Sequence, residues 1–70
     1  MNLLDILIMV AKNTLPEELA YISLDKIYPK SRKQLSAFLQ KAEKYRRNKR
    51  SDQDLEDLAL HTYNLIRRAK

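Results

Sequence analysis

The stretch best equipped for chemistry is "KAEKYRRNKR" at residues 41–50, and the four charged residues in the "SDQDLED" that follows are all acidic. A basic run of this kind can grip a polyanion, or it can be the electrostatic end of one helix before the next begins. If one helix ends near residue 48 and the next starts near 52, then Lys44, Arg46, Arg47, Lys49 and Arg50 sit at a C-terminus. Asp52, Asp54, Glu56 and Asp57 then sit at an N-terminus. Cations are favoured at the first kind of end and anions at the second, each by roughly 0.3–1 kcal/mol. In an up-down bundle Glu17 and Glu18 come to the same end. The run therefore needs no ligand to explain it.

Catalytic constellations lack parts. His61 is the only histidine, so neither a Ser-His-Asp triad nor a histidine-ligated zinc site can be assembled. It falls at the edge of an apolar helical stripe, as a boundary residue does. The carboxylates at 52–57 could share a cation, but four acids in a first turn are more simply complements of the dipole. There is no Cys for a disulfide or thiolate site, and no Gly for a phosphate-cradling loop. Tyr21, Tyr28, Tyr45 and Tyr63 could stack bases, yet their helical spacing suits core-edge packing with the hydroxyl in water. The expectation is a protein that binds rather than catalyses, with no cofactor and no metal.

The elements that position these residues are marked by caps. Asn2/Asp5, Thr14/Glu17, Ser31/Gln34 and Ser51/Asp54 each pair a capping residue with an acid or amide three positions on. Asn13 and Asn48 suit the left-handed position after a helix. Pro16 fits a first turn, and Pro29 stops a helix by pushing Tyr28 toward an extended conformation. These signals predict helices at about 2–12, 15–28, 32–48 and 52–69. Apolar stripes agree: Leu35, Phe38, Leu39, Ala42 and Tyr45 on the third helix; Leu55, Leu58, Ala59, Thr62, Leu65, Ile66 and Ala69 on the fourth. The second offers a broader face of Leu19, Ala20, Ile22, Leu24, Ile27 and Tyr28. Short connections favour antiparallel neighbours, so the expected fold is all-α, a compact antiparallel four-helix bundle spanning residues 1–70 as one domain.

Composition bounds this bundle. Seventy residues make a core that supplies only about 3–5 kcal/mol. Glycine is absent where average usage is about 7%, which a helical chain tolerates better than one that must turn hairpins. The N-terminal "MNLLDILIMVAKN" lacks a basic leader and a small-residue cleavage site, and its apolar run is far short of the ~20 residues that span a bilayer. A cytoplasmic location is expected. That first helix has no polar face beyond Asp5, so it is either central or covered from outside. Leu4, Leu7 and Ile8 are the expected face for a homodimer or a docking partner.

The opposite end of the bundle carries the net charge. Lys26, Lys30, Arg32, Lys33, Arg67, Arg68 and Lys70 face only Asp5 and Asp25, a net of +5, the formal charge of the whole chain. Arg67, Arg68 and Lys70 finish a helix and suit its dipole. Arg32 and Lys33 open one, where a positive charge is disfavoured. A local preference broken without compensation is a mark of function, so Lys30, Arg32, Lys33, Arg67, Arg68 and Lys70 form the expected partner-binding surface. Its partner would be anionic: an acidic protein, nucleic acid or membrane headgroups. The plain alternative is a solvated end that keeps a small protein soluble. A pI of about 9.7 fits nucleic acid, and helices two and three could make a helix-turn-helix. Its recognition face would be thin, however: Arg32, Lys33 and Gln34 alone.

Residues 15–70, with the Tyr-containing turn "LDKIYPKS", the charged helix "LSAFLQKAEK" and the final helix "LEDLALHTYNLIRR", resemble the small basic bacteriocin immunity proteins of the enterocin A immunity type. The resemblance implies a cytoplasmic antiparallel bundle without catalysis. It would protect the producer from a pore-forming peptide, by acting at the inner face on the mannose-type permease that the peptide targets. In that family the C-terminal part is associated with specificity, which corresponds here to Arg67, Arg68 and Lys70. Members of that family usually run longer and carry an additional tail.

Overall fold

The computed structural model describes residues 2–68. Four α-helices follow one another among them: α1 (Leu3–Ala11), α2 (Glu17–Ile27), α3 (Arg32–Arg47) and α4 (Asp52–Arg68). A 3-10 turn, Pro29–Ser31, leads from α2 into α3. The fold is an all-α four-helix bundle measuring 32 × 23 × 22 Å. Its long axis is close to the ~25 Å of a helix as long as α4, so one layer of helices surrounds one core.

Two of the four expected caps form. Asn2 Oδ1 accepts from the Asp5 N–H at 2.9 Å, and Ser51 Oγ from the Asp54 N–H at 3.3 Å. The other two do not. Thr14 Oγ1 donates backwards to the Met9 carbonyl, leaving Pro16 to open α2 with no side-chain cap. Ser31 is buried in the 3-10 turn and makes no cap, because that turn already supplies the entry to α3.

Helix ends obey a common geometry at two places. After α1 the Asn13 and Thr14 N–H groups return to the Val10 and Met9 carbonyls, with Asn13 at φ 61°. After α3 the Lys49 and Arg50 N–H groups return to Arg46 and Tyr45 in the same pattern. Both are Schellman caps. The left-handed residue of the second is Lys49 (φ 54°), not Asn48, whose φ of −85° is ordinary. The α3 helix simply runs one residue further than the asparagine suggests before its chain reverses.

Leu3, Leu7, Val10 and Ala11 of α1, Ala20 and Leu24 of α2, Leu35, Phe38 and Ala42 of α3, and Leu55, Leu58, Ala59 and Ile66 of α4 make the core. The α3 and α4 stripes fall where their periodicity places them, although Leu65 is half-exposed. Ala69 lies outside the described residues. Helix α1 is the central one: it packs most extensively on α4 and also touches α3 and α2. For Leu7 this corrects the expected outward face of α1. Leu7 is 0% exposed, and Leu4 and Ile8 pack partly buried against the same core, so the helix's lack of a polar face is answered inside the molecule. Helix α2 departs in the opposite sense. Only Ala20 and Leu24 are buried, while Leu19, Ile22 and Ile27 are 56%, 63% and 55% exposed.

Candidate functional site

One end of the bundle is built around Arg46. Its guanidinium donates to the Val10 carbonyl at 2.9 Å and the Ala11 carbonyl at 3.3 Å, in the last turn of α1, and pairs with the Glu17 carboxylate that opens α2. Beside it Lys12 Nζ reaches Glu56 Oε1 at 2.7 Å, joining the end of α1 to the start of α4. That hydrogen bond holds the Lys12 ammonium above its ordinary range. Ends of α1 and α3 thus meet starts of α2 and α4, the arrangement of an up-down bundle. Two more cations of the run are engaged locally. Arg47 pairs with Glu43 one turn back at 2.8 Å, and the Arg50 guanidinium stacks 4.5 Å from the Tyr45 ring centre. Lys44 and Lys49 are exposed and carry no partner among the described residues.

The far end gathers the remaining cations. Lys30, Arg32 and Lys33 line one shallow groove between α2 and α3 with Tyr21, Ser36, Ala37 and Gln40. Arg32 is compensated there: Nε and Nη2 donate to the two Asp25 oxygens at 2.9 and 2.8 Å. This bidentate fork draws the Asp25 carboxyl below its usual range and the guanidinium above its own. The expectation that Arg32 violates its helix without compensation is thereby corrected. Arg67 lies over the Tyr63 ring at 5.6 Å. Lys30, Lys33 and Arg68 are exposed with no ion partner among the described residues. Lys70 lies outside the described residues.

A second groove, between α3 and α4, was not singled out in the sequence. Lys41, Lys44 and Arg50 line it on one side and Asp54, Asp57 and His61 on the other. Its continuation toward the basic end adds Lys33, Gln34 and Leu65. The signal was present in the spacings 41/44 and 54/57/61, each one helix face, but it lies hidden within two charge runs. Gln34 Oε1 is buried in the groove wall with no hydrogen-bond partner among the described residues. His61 is exposed here and no cluster of three or more His, Asp or Glu side chains among the described residues is arranged to hold a metal ion. No helix among them is long and apolar enough to cross a membrane. No protein family, no curated protein and no solved structure matches this chain.

Proposed function

We propose that this chain is a non-catalytic binding protein acting in the cytoplasm, that its basic end engages an acidic partner surface, and that its role is protection of the cell from a pore-forming peptide. The observation that carries the binding surface is the charge left over after pairing. Arg32 is neutralised by Asp25, whereas Lys30, Lys33 and Arg68 remain exposed around the same end, with no ion partner among the described residues. Unpaired like charges held together by a fold raise the local positive potential and favour an anionic partner. The protective role rests on the resemblance of residues 15–70 to immunity proteins, with the permease that such peptides target as the partner at the inner membrane face.

The test compares wild type with the variant Lys30→Gln, Lys33→Gln, Arg67→Gln, Arg68→Gln, after far-ultraviolet dichroism shows equal helicity. Both are expressed in a bacteriocin-sensitive strain and both are titrated with a mixed nucleic-acid pool at low salt. Protection by wild type and not by the variant is the expected result. Nucleic-acid binding that weakens steeply with salt, with no protection by either protein, would replace this reading with a phosphate-binding one.

A further inference from the structure

Helix α2 carries three of the five large apolar side chains left exposed among the described residues: Leu19, Ile22 and Ile27, each more than half open to solvent. Scattered single apolar residues on a surface need no explanation. Three within one 11-residue helix do. Their spacing is informative, because residues four apart form the ridges by which helices pack. Glu18, Ile22 and Lys26 make one such ridge, and Leu19, Ser23 and Ile27 make the ridge beside it. Between them runs a groove with apolar side chains on both banks.

Charge says what fits that groove. Glu18 and Lys26 are exposed, have no partner among the described residues, and lie four residues on either side of Ile22. A copy of the same helix laid across it in the opposite direction places its Lys26 beside this Glu18 and its Glu18 beside this Lys26. Ile22 then meets its own counterpart at the two-fold axis. Such a self-complementary patch is what an isologous contact requires.

We infer that α2 is a homodimerisation surface, in which two copies cross antiparallel about a two-fold axis at Ile22, closed by reciprocal Glu18–Lys26 pairs. The surface shares Lys26 with the basic end but none of the residues assigned to the partner-binding surface, so its fate is independent of the proposed function. One short helix buries less than the roughly 1,200 Å² of a standard stable interface. The dimer is therefore a weak one, with a midpoint between about 1 µM and 1 mM.

Sedimentation equilibrium from about 1 µM to 1 mM spans that midpoint and should show reversible monomer–dimer exchange. Glu18→Lys and Lys26→Glu should each weaken association about tenfold, and the two combined should restore it, since the pair is merely exchanged. The chain has no cysteine, so Ile22→Cys gives a clean second test: mild oxidation should link two copies through residue 22. Leu60→Cys, an equally apolar exposed position on α4, should remain monomeric. A monomer at every concentration would overturn the inference. So would a double charge exchange no better than either single change, or oxidation that links the Leu60→Cys variant as fast as the Ile22→Cys variant.

Discussion

Arg46 shows how one side chain can be worth more to this fold than its place in a basic run suggests. Val10 and Ala11 offer carbonyls from the last turn of α1, and Glu17 offers a carboxylate from the first turn of α2; the guanidinium holds all three. Hydrogen bonds to a charged donor contribute about 1.5–3 kcal/mol, and the planar fork of Arg reaches several acceptors where the point charge of Lys cannot. Arg46→Gln should lower the unfolding free energy by about 2 kcal/mol in urea titrations, and Arg46→Lys should recover less than half of it. Neighbouring Lys44→Gln, which changes an exposed residue with no partner among those described, should fall within about 0.5 kcal/mol of wild type. Gln34 is the reverse case. Its buried, partnerless oxygen costs on the order of 1 kcal/mol or more, so Gln34→Met should leave stability unchanged or raise it. The Arg32–Asp25 fork reads out in pH. Asp25 titrates below the ordinary value of 3.8 in the folded chain, so its contribution is present above that value and is lost as pH falls through the lower, folded one. The difference in urea midpoint between wild type and Asp25→Asn should be level from neutral pH down to about 5 and should close in more acid solution.

At the scale of elements, helix existence was legible in the sequence while helix ends and faces were only partly so. Periodicity decided α3 and α4 because each has one strongly apolar and one strongly charged face, and core positions such as Leu35, Phe38, Leu58 and Ile66 followed directly. Ends were harder because capping is a competition. Thr14 had a suitable acid three residues on, but the Met9 carbonyl at the end of α1 lay closer to hand. Asn48 is a better left-handed residue than Lys49 by intrinsic preference, yet the returning bonds from Lys49 and Arg50 set the register one residue later. That leaves Lys49 in a conformation that costs an L-residue about 1 kcal/mol. Lys49→Gly should therefore stabilise the protein by about 0.5–1 kcal/mol, and Asn48→Gly, placed where φ is already negative, should not. Thermal unfolding of the two variants side by side measures this. The burial of Leu7 and the exposure of Leu19, Ile22 and Ile27 escaped the sequence for one reason. Hydrophobic count says how much a helix has to bury, but which helix takes the centre depends on how all four pack. Here α1 takes it and α2 is left at the rim.

For the whole molecule, the arrangement of charge divides structure from binding. The end holding Arg46, Lys12, Glu17 and Glu56 is closed by pairs that bridge different helices. At the other end Arg32 and Asp25 form a pair, and Lys30 and Lys33 stand beside it with none among the described residues. The candidate surface was legible as a composition of basic residues near one end. Its sorting into paired and unpaired cations was not, because Asp25 and Arg32 are seven residues apart on two different helices. This division has an energetic consequence that needs no partner to observe. Lys33 lies in the first turn of α3, where the dipole disfavours a cation by about 0.3–1 kcal/mol, and Lys30 adds repulsion from the turn before it. Neither charge is answered among the described residues, so replacing them should relieve the free protein. The double variant Lys30→Gln, Lys33→Gln should unfold at higher urea than wild type in low salt, by about 0.5–1 kcal/mol. Salt screens exposed charges over about 10 Å at 0.1 M and about 3 Å at 1 M, so the gain should shrink toward zero at high salt. Arg46→Gln, made in parallel, should remain destabilising at both salt concentrations, since its bonds are partly buried and two of them go to backbone. A double variant less stable than wild type in low salt would mean that the lysines hold the bundle together, and the basic end would then need no partner to account for it.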